Sequence, residues 1–139
     1  VSGIPHAGTP LAQAFAHAGN DHMWLLGLGK VGNDDKREIL GVIEGTFVVG
    51  NTLLLIDDLI TRADTKLEAV KAVRDSGLVV NDVVVLVDRE QGGRAQLVAA
   101  GVNLHSVFTL RQLVDFFQTV GKMTKELHGE IITYLEANK

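Results

Sequence analysis

Two adjacent carboxylates at the end of an apolar run are the residues of this chain best suited to chemistry. Asp57 and Asp58 directly follow the run 52–56, and a short loop then leads to a helix that begins near Thr65. Carboxylates at a strand end can accept hydrogen bonds from sugar hydroxyls, and the amides of a loop that enters a helix can hold a phosphate. The pattern fits a ribose 5-phosphate, and an aspartate pair that only caps a turn is the alternative that the residues leave open.

A second apolar run, residues 83–87, also ends in charged residues, Asp88, Arg89 and Glu90. Continuous apolar runs are typical of strands covered on both faces, as in a parallel sheet. Residues 22–26 and 102–108 are predicted to form further strands. Helices are predicted over residues 9–18, with Thr9 as N-cap and Pro10 in the first position, and over residues 65–76, 93–100, 110–119 and 124–137. The core-facing side of the last helix is predicted to carry Leu127, Ile131, Tyr134 and Leu135.

The alternation of strands and helices predicts an α/β fold, a doubly wound parallel sheet. In such sheets ligands bind at the carboxyl ends of the strands. We therefore expect Asp57, Asp58, Thr61 and Arg89 to meet at one edge of the sheet.

The composition limits the class of protein. The chain of 139 residues is long enough for one domain and too short for two, so residues 1–139 are predicted to form a single domain. A net charge of -4 disfavours nonspecific binding to nucleic acid or to anionic lipid. The sequence has no cysteine, which excludes disulfides and thiol nucleophiles, and no apolar run near the roughly 18 residues of a membrane span. A soluble, cytoplasmic domain is expected, with neither nucleic acid nor membrane as a partner.

Residues 27–45 form a polar, glycine-rich stretch that is long for a connection within one domain, and such stretches are usually functional lids or disordered. Residues 27–32 satisfy the pattern GxGxxG, but the polar residues after them are a poor start for the helix that a dinucleotide site requires, so a loop is the preferred interpretation. The five histidines have no metal-ligand spacing. Only His6 lies near the predicted site, where it could contact a metal or pyrophosphate through water.

Four segments resemble a known family. Residues 53–66 (LLLIDDLITRADTK) resemble the phosphoribosyl pyrophosphate signature of type I phosphoribosyltransferases. Residues 83–93 (VVVLVDREQGG) and 104–110 (LHSVFTL) resemble two segments of orotate phosphoribosyltransferases. Residues 3–12 (GIPHAGTPLA) resemble the loop that holds the pyrophosphate, and residues 43–45 stand where the mobile loop of that family closes. The resemblance covers essentially the whole chain in the family's order.

The resemblance implies a phosphoribosyltransferase fold and a glycosyltransferase activity in pyrimidine synthesis. Such an enzyme joins orotate to C1 of the ribose of phosphoribosyl pyrophosphate and releases orotidine 5′-phosphate and pyrophosphate. Mg²⁺ is implied as the cofactor, with no metal ligand assigned to the protein itself. A homodimer is implied, as is a segment before Val1 that covers the orotate, and the family also allows fusion to or association with orotidine 5′-phosphate decarboxylase.

The resemblance also assigns roles by position. Asp57 and Asp58 would take the ribose hydroxyls and, with Lys30 and Lys36 of the mobile loop, would be catalytic. Thr61 and Arg89 would contact orotate. The residues implied for binding phosphoribosyl pyrophosphate are Gly3, Ile4, Pro5, His6, Ala7, Asp57, Asp58, Thr61, Arg62, Ala63, Asp64 and Thr65.

The phosphate loop departs from the family's usual Thr-Gly-Gly, since this chain has Arg62, Ala63 and Asp64 there. If residue 63 needs a positive φ, alanine costs roughly 1 kcal/mol relative to glycine. Asp64 could repel a phosphate about 4 Å away by about 4 kcal/mol, or could turn to water and cap the next helix at almost no cost. The family's basic stretch is not recognisable in the mobile loop either. A second hypothesis therefore stays open, a non-catalytic domain of a pyrimidine-pathway fusion protein that binds a phosphoribosyl ligand or a partner.

Overall fold

A computed structural model describes residues 1–19, 23–29 and 43–138. Within these residues the chain forms a four-stranded sheet, a two-stranded ribbon and five helices. In chain order the elements are β1 (Ser2–Gly3), α1 (Gly8–Ala18), β2 (Gly27–Leu28), β3 (Ile43–Glu44), β4 (Leu55–Ile60), α2 (Asp64–Asp75), β5 (Asp82–Asp88), α3 (Gly93–Ala99), β6 (Asn103–Thr109), α4 (Leu110–Thr119) and α5 (Lys125–Ala137).

The main sheet is parallel throughout, with the strand order β1-β4-β5-β6. Leu55 of β4 lies opposite Val83 of β5, and Val83 lies opposite Leu104 of β6. Each connection between consecutive strands of this sheet contains a helix, which is the usual way to join parallel strands. The predicted α/β fold with a parallel sheet is therefore confirmed.

The core lies against the two inner strands, β4 and β5. Burial along β5 alternates, because Val83 and Val85 are fully buried whereas Leu86 is 45% exposed. The apolar run 83–87 was expected to be covered on both faces, and the described residues cover only one face completely. The period-2 geometry of a strand accounts for this difference, since successive side chains point to opposite faces of the sheet.

Two strand predictions need correction. β4 runs from Leu55 to Ile60 and not over residues 52–56, because its pairing with β5 continues to Ile60 opposite Asp88. Asp57 and Asp58 therefore lie inside the strand and not after it. The strand predicted over residues 22–26 is wrong in its described part: residues 23–25 are irregular, and Leu26 makes only an isolated bridge with Ser2.

The helices after β4 match the prediction to within one residue at each end, and α4 matches it at both ends. The start of α1 was predicted wrongly. The helix begins at Gly8 with Ala7 as its N-cap, so Thr9 and Pro10 lie within the first turn. The reason is that Gly8 packs directly on β4: a Cβ atom at Gly8 would lie 2.3 Å from the carbonyl oxygen of Ile56.

The long polar stretch begins and ends in the ribbon. Gly27 pairs with Glu44, and Leu28 pairs with Ile43, in antiparallel orientation. The predicted cations Lys30 and Lys36 lie outside the described residues.

The last helix, α5, packs on α4. Leu135 is buried, but Leu127 is 47% exposed and Tyr134 is 53% exposed, so the predicted core-facing side is wrong for these two residues. Packing on another helix, and not on the sheet, leaves most of the apolar side of α5 uncovered. In the described part of the chain, none of the helices has the length and apolar character needed to cross a membrane.

Candidate functional site

The carboxyl ends of β1, β4 and β5 meet at one edge of the main sheet, which is where parallel sheets bind ligands. The loop after β1, the turn after β4 and the loop after β5 all start there. Their backbones are joined: the amide of Ile4 donates to the carbonyl oxygen of Ile56 at 2.9 Å, and the amide of Arg89 donates to that of Ile60 at 2.9 Å. The structure thus brings the described segments of the predicted site together.

Asp57 is buried, with 6% of its surface exposed, and its carboxylate is engaged within the protein. Its Oδ1 accepts a hydrogen bond from the amide of Asp58 at 2.9 Å, and its Oδ2 lies 2.5 Å from Nζ of Lys66, in the first turn of α2. Burial raises the pKa of Asp57, and the ion pair with Lys66 opposes that shift. Asp57 is therefore a buried carboxylate held in one orientation.

Asp58 is the more accessible acid of the pair. It is half-buried where Asp57 is buried, as expected for neighbours that point to opposite faces of a strand. Its Oδ1 accepts a hydrogen bond from the amide of Leu59 at 2.8 Å, and no described residue donates to its Oδ2. One oxygen of this carboxylate can therefore accept a hydrogen bond from a ligand.

The turn 61–65 enters α2 without a left-handed residue. Ala63 has φ -94° and ψ 8°, so alanine is not strained there and the expected cost relative to glycine does not arise. Asp64 is the first residue of α2 and is exposed, and its side chain caps no amide, so the interpretation of Asp64 as a helix cap is wrong. Thr61 and Thr65 are half-buried, and Arg62 is exposed.

The N-terminus of α2 can offer amides to an anion. The amide of Ala63 donates to Oε1 of Gln96 in α3 at 2.7 Å. The amides of residues 64–66 have no acceptor among the described residues, as is usual in the first turn of a helix. Because the positive end of the helix dipole lies at the same place, this turn is suited to bind a phosphate.

The loop after β1 lies beside Asp57. A Cβ atom at Gly3 would lie 2.3 Å from the carbonyl oxygen of Gly8, so only glycine fits at residue 3. A Cβ atom at Gly8 would lie 3.1 Å from Oδ1 of Asp57. Of the predicted pyrophosphate residues, Gly3 and Ile4 are buried, Pro5 is half-buried, and His6 and Ala7 are exposed.

Thr61 and Arg89, the residues predicted for orotate, follow neighbouring strands, and both are half-buried. The amide of Gly93, at the start of α3, donates to the carbonyl oxygen of Thr61 at 3.1 Å. A Cβ atom at Gly93 would lie 2.6 Å from Cγ1 of Ile60, so the backbone of the loop after β5 sits directly on the end of β4. The two predicted residues are therefore held close in space by their backbones.

Sequence reasoning missed four residues that organise this edge: Gly8, Lys66, Arg94 and Gln96. Lys66 lies three and four residues before Ala69 and Val70, which places it on the buried stripe of α2, where a lysine needs an acidic partner. That spacing could have revealed it. Arg94, whose Nη2 lies 3.2 Å from Oδ2 of the buried Asp88, follows no such pattern.

In the ranges that the structure describes, no three histidine, aspartate or glutamate side chains are grouped so as to hold a metal ion.

Comparison with known proteins gives relatives for nearly the whole chain. It is 32% identical over 135 residues to the orotate phosphoribosyltransferase of Caenorhabditis elegans, an alignment that covers 97% of this chain and 58% of that protein. Its fold matches the UMP synthase of Leishmania donovani with a TM-score of 0.83 and 29% identity, over 98% of this chain and 28% of that one. It also matches the Mycobacterium tuberculosis orotate phosphoribosyltransferase in complex with phosphoribosyl pyrophosphate, with a TM-score of 0.64 and 29% identity, over 78% of this chain and 61% of that one. No protein-family model matches the chain.

A parallel sheet with an acid pair on its inner strand, the helix N-terminus that follows that strand and these structural matches define a phosphoribosyltransferase domain. Within that class, the chain belongs to the orotate phosphoribosyltransferase family. The chain spans 58% of the length of the Caenorhabditis elegans relative.

Proposed function

We propose that this chain is the phosphoribosyl pyrophosphate-binding part of an orotate phosphoribosyltransferase. The reaction breaks the bond between C1 of the ribose and the pyrophosphate oxygen and forms a bond from C1 to a ring nitrogen of orotate. The products are orotidine 5′-phosphate and pyrophosphate. The observation that carries the proposal is the meeting of the loop after β1, the acid pair of β4 and the turn 61–65 at one edge of the sheet.

The 5-phosphate would bind at the N-terminus of α2. The amides of residues 64–66 have no acceptor among the described residues, and the helix dipole favours an anion there. The ribose would then lie over the end of β4, with its hydroxyls toward Asp57 and Asp58. A negative field at this position stabilises a ribose ring that becomes positively charged as the pyrophosphate leaves.

The pyrophosphate and orotate would flank the ribose. Residues 3–7 would face the pyrophosphate, since they lie beside Asp57 and present His6 and Ala7 to solvent. Thr61 and Arg89 would contact orotate from the ends of β4 and β5. Lys30 and Lys36 would supply positive charge to the leaving group, a role that rests on the resemblance alone.

Mg²⁺ fits this donor set as an ion that arrives with the substrate. Magnesium in phosphate-binding sites commonly takes one or two carboxylates together with substrate oxygens and water. Asp58, whose Oδ2 receives no hydrogen bond from a described residue, would be the carboxylate nearest to it. When bound, the ion would neutralise charge on the departing pyrophosphate.

A second candidate function follows from Asp64. A carboxylate at the first position of the phosphate-binding helix opposes an anion, which favours a non-catalytic domain that binds its ligand weakly within a fusion protein. Likeness to part of a UMP synthase supports a fusion to, or association with, orotidine 5′-phosphate decarboxylase. A homodimer and a cytoplasmic location belong to the same proposal.

The test is calorimetric titration of the chain with phosphoribosyl pyrophosphate and Mg²⁺, followed by measurement of pyrophosphate release with orotate. Micromolar binding with turnover is the expected result for the enzyme. Binding without turnover, in this chain and in a protein extended to the length of its relatives, would favour the non-catalytic domain. No binding by either protein would refute both functions.

A further inference from the structure

Arg94, the second residue of α3, connects three elements beside the proposed site. Its Nη2 lies 3.2 Å from Oδ2 of Asp88, the last residue of β5, and its Nη1 donates to the carbonyl oxygen of Leu104 in β6 at 2.7 Å. Its Nη2 also lies 3.4 Å from Oγ of Ser106. The side chain of Asp88 is only 4% exposed, and a buried carboxylate is costly unless it is paired. Arg94 supplies the counter-charge of this buried acid.

Asp88 in turn fixes the start of the loop 89–92. Its Oδ1 accepts a hydrogen bond from the amide of Glu90 at 2.8 Å, a turn that aspartate side chains commonly close. Glu90 has a φ of 59°, in the left-handed region that residues other than glycine rarely adopt. Its carboxylate is held as well, since Oε2 accepts from the amide of Arg111, at the start of α4, at 3.4 Å. The conformation of this turn therefore depends on a carboxylate that Arg94 pairs.

Arg89 lies inside this turn, between Asp88 and Glu90. Its amide donates to the carbonyl oxygen of Ile60 at 2.9 Å, and the residue is half-buried. In the proposed function its guanidinium contacts orotate. A guanidinium binds a carboxylate best as a planar fork with two parallel hydrogen bonds, so its direction affects the affinity. A change in the turn 88–90 would alter that direction.

The phosphate-binding turn is joined to α3 by contacts that do not involve the side chain of Arg94. The amide of Gly93 donates to the carbonyl oxygen of Thr61 at 3.1 Å, and the amide of Ala63 donates to Oε1 of Gln96 at 2.7 Å. Loss of the Arg94 side chain should therefore affect the part of the site that meets the base more than the part that meets the phosphate.

We propose that Arg94 is a positioning residue for the base: by pairing with Asp88, it holds the turn 88–90 in the conformation that directs Arg89 toward orotate. The inference rests on the proposed function and deepens it. Arg94 acts through Arg89 and makes no contact of its own with the ligand.

The test is calorimetric titration of this chain and its variants with orotidine 5′-phosphate and, separately, with ribose 5-phosphate, which lacks the base. Arg94→Met should weaken binding of orotidine 5′-phosphate about fivefold or more and change the affinity for ribose 5-phosphate by less than about twofold. Arg94→Lys keeps the charge but replaces two donor nitrogens by one, and should lose about threefold.

The matched control is Arg74→Met. The guanidinium of Arg74 also joins a helix to neighbouring backbone, donating to the carbonyl oxygens of Val80 at 2.7 Å and Ala100 at 3.1 Å, but at the opposite edge of the sheet. This variant should bind both ligands like the wild type, which separates a positioning role from a general loss of stability.

A double-variant cycle tests whether Arg94 acts through Arg89. Arg89→Met should itself weaken binding of orotidine 5′-phosphate, and adding Arg94→Met should then cost less than about twofold more. If Arg94→Met does not fold, Arg94→Lys carries the test, because its loss should also vanish in the Arg89→Met background.

Four results would overturn the inference. They are a wild-type affinity of the Arg94 variants for orotidine 5′-phosphate, an equal weakening of both ligands, fully additive losses in the cycle, and a wild type that binds the two ligands equally well. A wild type that binds neither ligand would instead refute the proposed function, and this inference with it.

Discussion

Replacement of Asp64 by asparagine should strengthen phosphate binding and weaken the fold at the same time. Asp64 is the first residue of α2 and is exposed, so its charge acts on a bound phosphate through water. Across the width of a helical turn, about 5–8 Å, two unit charges in water interact by about 0.5–0.8 kcal/mol. The dissociation constant of inorganic phosphate should therefore fall about two- to fourfold. The sequence alone allowed a repulsion of about 4 kcal/mol between Asp64 and a phosphate about 4 Å away, at an effective dielectric constant of about 20. Because Asp64 is exposed, water screens its charge and the smaller value applies.

The effect on stability has the opposite sign. An acidic residue in the first turn interacts favourably with the helix dipole, by about 0.3–1 kcal/mol, and Asp64→Asn loses that interaction. Calorimetry with inorganic phosphate at low salt and urea unfolding of the same variant measure the two effects separately. Asp75→Asn is the control, since it removes one charge from the same helix about 16 Å away, where two unit charges in water interact by only about 0.3 kcal/mol. An unchanged or weaker affinity in Asp64→Asn at low salt would refute this account of the turn.

Three further outcomes are expected. Asp58→Asn should lower turnover about 10²–10³-fold, the range for loss of one charge-stabilising group, with an unchanged urea midpoint; a turnover equal to the wild type would remove Asp58 from the mechanism. Gly93→Ala should cost about 1–3 kcal/mol of unfolding free energy, because the added Cβ atom would lie 2.6 Å from a packed side-chain carbon, whereas Gly129→Ala, with nothing within 4 Å, should stabilise α5 slightly. Equal urea midpoints for these two variants would contradict the packing argument. The hydrogen bonds from His105 and Asn103 lower the pKa of Asp82 below its usual value of about 3.9. The two hydrogen bonds therefore stabilise the folded protein fully above that pH, and this stabilisation is lost as the pH falls through the lowered pKa. The difference in melting temperature between the wild type and Asp82→Asn should therefore shrink below about pH 4, and a constant difference would be contrary to it.

The parts of the fold that local sequence determines were predicted well. The side chain of Thr109 caps α4 by accepting a hydrogen bond from the amide of Gln112, and the side chain of Gln112 accepts one from the amide of Thr109. The two residues that fix the start of this helix therefore lie within four positions of each other in the sequence. The helix α3 likewise begins at Gly93, directly after a left-handed Gly92. The class of sheet followed from two apolar runs and the helices between them.

The incorrect predictions concern features that are determined by contacts between segments far apart in the sequence. The first residue of α1 is set by contact between Gly8 and β4, some fifty residues later in the chain, and no local pattern encodes that contact. Within the site, Asp57 and Asp58 were identified from the residues next to them in the sequence. The ion pair between Asp57 and Lys66 was not predicted, because its burial depends on how α2 packs against β4.

The hydrogen bond from Ala63 to Gln96 has a consequence for engineering this domain. Gln96 is the fourth residue of α3, counted from Gly93, and the amide of Gly93 is itself held by the carbonyl oxygen of Thr61 at 3.1 Å. One residue inserted between Gly93 and Gln96 would turn Gln96 by about 100° around the helix axis and would withdraw it from Ala63. Engineering of the loop after β5 should therefore vary the side chains of residues 89–92 and leave the first turn of α3 unchanged.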